Sequence, residues 1–165
     1  MGSWAVVLLG AGIGAVLLAA GLGFLRRLER RRADEVLRRF DGARVLGATS
    51  NANYFGTESL GRGQLRGNGV MVLTEDALHY EMWAPIRSVR IPVSRMVRTE
   101  NARSHLGRSV LRPLLKVVFE NDRGETDSCA WLVRDVETWR RALSSMIAAR
   151  RAPEEADAAA NPPRS

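Results

Sequence analysis

Several things are scarce in this 165-residue chain, and each scarcity closes off a class of function. There is one cysteine, Cys129, so the chain has neither a disulfide framework nor a thiolate metal site. There are two histidines, His79 and His105, and neither has a carboxylate or thiol at metal-ligand spacing. No nucleophile-elbow sequence accompanies them, so no catalytic triad can be assembled from sequence. Aromatic residues make up only 6% of the chain and fall mostly on core, anchor or closing-helix positions, which leaves few for base stacking and argues against nucleic acid. Lysine is almost missing: of 25 basic residues only Lys116 is a lysine. With the Ala-rich C-terminus, this indicates the codon bias of a GC-rich bacterial genome. The expected catalytic, cofactor and metal residues are therefore none.

What the chain does have is positive charge and one long apolar run. The formal net charge is +7, so the expected partners are acidic: lipid headgroups or an acidic protein surface. Residues 4–25, WAVVLLGAGIGAVLLAAGLGFL, carry no charge over a length that crosses a hydrocarbon core as a helix. Three residues precede the run, and RRLERRR follows it. A secretory signal has the opposite charge order. The positive-inside bias therefore predicts an uncleaved single-pass anchor in a bacterial inner membrane, with residues 1–3 outside and the remainder cytoplasmic. Arg26, Arg27, Arg30, Arg31 and Arg32 set that topology and lie beside the anionic leaflet, in a basic juxtamembrane helix over 26–41. Within the span, Gly10/Gly14 and Ala15/Ala19/Gly23 recur every four residues as a small-residue ridge, where a second copy could pack to form a homodimer. Gly10, Gly12 and Ala15 also match a dinucleotide-binding fingerprint. That fold needs a buried strand ending at Asp34, and LERRRA cannot be one.

After Asp41-Gly42 the apolar period changes from 3.6 to 2. Strands are expected over 44–50, 69–74, 78–83, 88–93, 96–101, 114–120 and 126–133, with a hairpin turn at 121–124. In 86–93, Val89, Ile91 and Val93 face inward while Ser88 and Arg90 face outward. The helical period returns after Asp135, an N-cap candidate, with Val136, Trp139, Leu143, Met146 and Ile147 on one face. This helix is expected over 135–150, with a disordered tail over 151–165. The fold class is thus one N-terminal transmembrane helix plus a mainly-β barrel of about seven antiparallel strands (42–150), closed by a C-terminal amphipathic helix.

That plan, with four short motifs in order, resembles the GRAM and bacterial pleckstrin-homology (PH)-like domains. Gly63–Thr74 followed by EDALHY is similar to their opening, Ile91-Pro92-Val93-Ser94-Arg95-Met96 to their I-P-L-x-x-I segment, Leu115–Phe119 to a later strand, and Trp139 to the tryptophan of the closing helix. The resemblance covers about residues 43–148. It implies a non-enzymatic binding or scaffolding module without a cofactor. Of the basic pattern that phosphoinositide-binding members carry on the first two strands, GRGQLRGNGVMVL retains only Arg62 and Arg66.

The strongest charge signal lies further on. Arg87, Arg90, Arg95, Arg98, Arg103, Arg108, Arg112 and Lys116 are opposed by Glu100 alone. The expectation is a basic face over 87–116, including a mobile loop at 100–113 with His105, directed at anionic lipid or an acidic partner. Two alternatives stay open: a structural membrane protein with no ligand of its own, and an enzyme with an unrecognised site.

Overall fold

The computed structural model describes residues 42–160 without a break, residues 33–40, and the single positions Ala20, Arg27 and Arg31, with side chains as far as Ala152. Apart from Ala20, the expected span 4–25 and its contact residues Gly10, Gly14, Ala15, Ala19 and Gly23 lie outside the described residues, as do Arg26, Arg30 and Arg32. Among the described residues no helix is long and apolar enough to cross a membrane.

The chain divides into two units, 1–39 and 40–165. In the first, Arg27, Arg31 and Ala33–Arg38 are helical, both arginines are exposed, and Arg39 pairs with Glu35 one turn back at 4.0 Å.

The second unit is a seven-stranded antiparallel sheet: β1 (Val45–Thr57), β2 (Gly67–Thr74), β3 (Ala77–Trp83), β4 (Ile86–Pro92), β5 (Met96–His105), β6 (Arg108–Glu120) and β7 (Thr126–Leu132). The spatial order is β4-β3-β2-β1-β7-β6-β5. No pairing joins β4 to β5, so the sheet is a curled half-barrel with two edges rather than the closed barrel expected. The curl comes from β1. Its first part pairs with β2 and its last part with β7, and register shifts between Thr49 and Ala52 and between Tyr54 and Gly56 bend it between the two. Gly56 has φ +119°, and a Cβ there would lie 2.6 Å from the Leu106 side chain, so only glycine fits the bend.

The curl gathers the inward row of every strand into one core. Tyr54, Met71, Leu73, Leu78, Tyr80, Met82, Ile91, Met96, Leu115, Val117 and Trp131 are all buried there. Tyr54, Tyr80 and Trp131 pack with ring centroids 5.5–5.9 Å apart. Helix α1 (Val136–Ala160) fills the open side, lying on β5 and β6 with Leu143 and Ile147 buried and Val136, Trp139 and Met146 half-buried against the same core. Both apolar clusters of this unit are drawn from residues 52–147, so it has a core of its own. Asp135 opens the helix through its carbonyl, which accepts from Trp139 N at 3.2 Å.

All seven strands occur where alternation places them, but three run further. β1 extends to Thr57, and β5 and β6 extend through the stretch expected to be a mobile loop at 100–113. That stretch is a hairpin turning on Leu106 and Gly107, both at positive φ (+52° and +74°), the backbone of a tight two-residue turn. Pro113, which argued for a loop, sits where the register between Ala102 and Ser104 slips, one of the places where a strand accepts proline. The helix also passes position 150 and continues to Ala160, instead of giving way to a disordered tail at 151.

Candidate binding surface

Three connections meet at one end of the sheet. The β1–β2 connection, residues 58–66, is folded onto β7 and onto itself by its polar side chains. Ser59 donates from N and Oγ to the two carboxylate oxygens of Asp127, at 3.0 and 2.5 Å. Gln64 donates to the carbonyls of Thr57 and Gly61 at 2.5 and 2.6 Å, and its own carbonyl accepts from Thr57 N at 2.9 Å. On one side this connection meets the β3–β4 turn, since a Cβ on Gly67 would lie 3.1 Å from the Ala84 carbonyl oxygen. On the other it meets the β5–β6 turn, where a Cβ on Gly107 would lie 3.4 Å from Arg62 Cζ. The buried His105 ring ties β5 to β1, with Nε2 3.0 Å from the carbonyl oxygen of Gly56. Burial holds the His105 pKa below its ordinary value, against the raising effect of that hydrogen bond.

Five arginines, here called the crown, belong to the strand ends and connections at this end. Arg66 stacks 4.1 Å from the centre of the Phe55 ring. Arg87 is on the inward row of β4 with Val89 and Ile91, and lies 5.5 Å from the centre of the Tyr54 ring. Arg62 lies in the β1–β2 connection against Gly107, and Arg103 and Arg108 flank the β5–β6 turn. Among the described residues none of the five pairs with a carboxylate; the ion pairs are made by other residues. The nearby acids are engaged elsewhere: Asp127 holds Ser59, while Glu58 accepts from Ser128 and faces Lys116 at 3.8 Å. Leu60, Leu65 and Ile86 stand beside the arginines, 57%, 64% and 86% exposed.

The other arginines expected on a basic face point elsewhere. Arg90 pairs with Asp76 at 2.8 Å and Arg95 with Asp122, both beside a groove of about 850 Å³ between the β2–β3 turn and α1. Arg98 pairs with Glu100 at 2.6 Å, and Arg112 donates to the Arg134 carbonyl at 3.1 Å. The seven arginines of 87–112 are therefore not one surface. Arg87, Arg103 and Arg108 join the crown, and the rest are neutralised or engaged by backbone. Sequence reasoning undervalued Arg62 and Arg66 because it weighed runs along the chain. The signal available was that 59–74 contains two arginines and no acid.

Cys129 is enclosed beneath this end, 3.0 Å from the Thr57 hydroxyl, and burial pushes its thiol up to about 12, so it stays protonated at neutral pH. Tyr54 shares a hydrogen bond with the same hydroxyl and is likewise pushed up to about 12 by burial. Among the described residues no group of His, Cys, Asp and Glu could hold a metal ion.

A scan against protein-family profiles matches none, and a search of characterised proteins finds no relative. Solved structures do match. A chain of the 8S snRNP assembly intermediate aligns with a TM-score of 0.50 at 13% identity, covering 63% of this chain and 82% of that one. The C-terminal domain of an unknown protein from Leishmania infantum aligns with 0.49 at 15% identity, covering 69% and 96%. The Vps36 N-terminal PH domain aligns with 0.45 at 16% identity, covering 65% and 80%. At such identity the first of these likenesses shows a shared fold and nothing about chemistry.

Proposed function

We propose that the protein is a non-enzymatic, membrane-tethered PH-like binding module on the cytoplasmic side of a bacterial inner membrane, and that its crown of arginines contacts the anionic lipid surface. The observation that carries this reading is that Arg62, Arg66, Arg87, Arg103 and Arg108 all belong to strand ends and connections at one end of the sheet, without carboxylate partners among the described residues, beside exposed Leu60, Leu65 and Ile86. Unpaired cations next to projecting apolar side chains suit a lipid–water interface: the charges meet headgroups and the leucines enter the acyl boundary. The tether rests on the apolar run 4–25 and its arginine flank.

The test uses the fragment 40–165, which has its own core. It is sedimented with phosphatidylcholine vesicles, with and without phosphatidylglycerol, over a range of salt. The expected result is association with the anionic vesicles alone, lost as salt screens it. Association that ignores lipid charge overturns the lipid reading. Absence of association, with specific capture of an acidic polypeptide, moves the crown to a protein partner.

A further inference from the structure

Phe40, the first residue of the second unit, is fastened to the sheet. Its ring packs edge-on against the His79 ring, with centroids 4.7 Å apart and planes at 62°. His79 is on the outer row of β3, because Leu78 and Tyr80 on either side of it enter the core. Its Nε2 lies 3.4 Å from the Thr74 hydroxyl. Between Phe40 and β1 the chain reverses. Ala43 N donates to the Phe40 carbonyl at 2.9 Å, the bond that closes a β-turn, and Gly42 has φ +95°. Arg44 pairs with Glu75 of the β2–β3 turn at 3.0 Å and holds the other arm. Strand register gives the reversal a direction. Val45 is level with Thr74, at the end of the sheet that carries the β2–β3 turn. His79 is level with Val72, further toward the crown. Strand β1 runs from the β2–β3 end toward the crown, so the chain ahead of the turn runs the other way.

We infer that Phe40, seated on His79, is a hook that makes the chain enter this unit from the crown side, so that the crown faces the same leaflet that holds the tether. Without the hook, the entry point and the crown are at opposite ends of β1. Strands rise about 3.3 Å per residue, so the stretch from Val45 to Tyr54 separates the two by up to about 30 Å. A chain that left straight from the β2–β3 end would hold the crown off the bilayer. The reverse turn and the Phe40–His79 contact instead bring the binding end back toward the membrane to which the chain is attached. The inference rests on the tether and crown readings and deepens them by fixing which bilayer the crown meets.

In the test, the full chain is reconstituted in phosphatidylcholine vesicles, where no lipid charge draws the crown down. A donor dye is attached at G63C, in the β1–β2 connection where a Cβ meets nothing within 4 Å, or at S94C, which is exposed at the other end beyond the Ala77–Pro92 pair. Cys129 is buried and stays unlabelled. Energy transfer to acceptor-labelled lipid is expected to be higher from G63C than from S94C. F40A and H79A, made from the two sides of one contact, should each remove most of that difference, and the double variant no more than either alone. H79A keeps the test informative if F40A fails to fold. Equal transfer from the two sites, or more from S94C, overturns the inference. A difference that survives in both F40A and H79A overturns the assignment to this contact. Failure of the full chain to enter the vesicles overturns the tether reading and the inference with it. Fragment 40–165 is offered phosphatidylglycerol vesicles in parallel: absence of association there, with the dye difference intact, overturns the crown reading and leaves the hook.

Discussion

His105 Nε2 lies 3.0 Å from the carbonyl oxygen of Gly56, and this buried contact joins the end of β5 to the bend of β1 directly beneath the arginine crown. The groups whose charge reaches the ring are Lys116, which lowers its pKa, and Glu58 and Asp127, which raise it; burial outweighs them and leaves the ring neutral.

The first prediction concerns pH. His105 and His79 both titrate below the ordinary histidine value when folded, and burial is the leading cause for each. In the window between the folded and unfolded values, the unfolded chain binds more protons. The stabilising contribution is therefore complete above about pH 6.5 and is lost as pH falls through the folded values. Urea midpoints of fragment 40–165 are expected to drop between pH 7 and 5, with a smaller drop in H105Q. A midpoint that is flat or rises over that interval contradicts the burial account.

A second prediction separates glycines by what surrounds them. A Cβ on Gly69 would sit 2.1 Å from the Glu81 carbonyl oxygen and 2.8 Å from the Tyr80 ring, and the paired backbone of β3 cannot retreat. Gly63 has nothing within 4 Å. G69A is expected to cost about 3 kcal/mol or more, while G63A stays within about 0.5 kcal/mol. Equal melting temperatures for the two would refute this packing.

Leu143 tests whether α1 is part of the core. Its side chain is fully buried among strand residues, whereas Leu111 on β6 is fully exposed. L143A should lose about 2–5 kcal/mol of unfolding free energy, by denaturant titration, and L111A about 0.5 or less. A small effect of L143A would mean that the helix does not close this sheet.

Gln64 keeps the crown in place. It spans Thr57 and Gly61 with three hydrogen bonds to backbone. Q64A is expected to cost about 1–3 kcal/mol and to speed hydrogen exchange at the Thr57 amide, which loses its acceptor. Unchanged exchange there would show that the loop holds itself without Gln64.

Most of the sheet was legible because its strands obey simple alternation. Val89 and Ile91 facing in, and Ser88 and Arg90 facing out, follow from a period of two. The Asn121–Gly124 turn was equally plain, since Asn121 Oδ1 accepts from the amides of Arg123 and Glu125 at 2.9 and 3.0 Å. The β5–β6 hairpin was not legible, because its turn puts Leu106 at positive φ and its irregularity hosts Pro113, both of which read locally as loop. The surface was harder still. Arg90 and Arg103 look alike in sequence, yet one meets Asp76 across a strand pair and the other meets no acid among the described residues, a difference set by long-range register. Arg62 meets the β5–β6 turn beside Gly107, a contact between residues 45 apart that no local pattern announces.

The central claim is that the crown, not the arginines beside the β2–β3 turn, contacts the anionic surface. Its most direct test is vesicle co-sedimentation of fragment 40–165 carrying R66E with R108E, against the same fragment carrying R90E with R95E. Both pairs change the net charge equally, so bulk electrostatics is held constant. The crown pair is predicted to abolish binding to phosphatidylglycerol vesicles and the other pair to retain most of it. Equal loss in both, or loss only in R90E with R95E, contradicts the account.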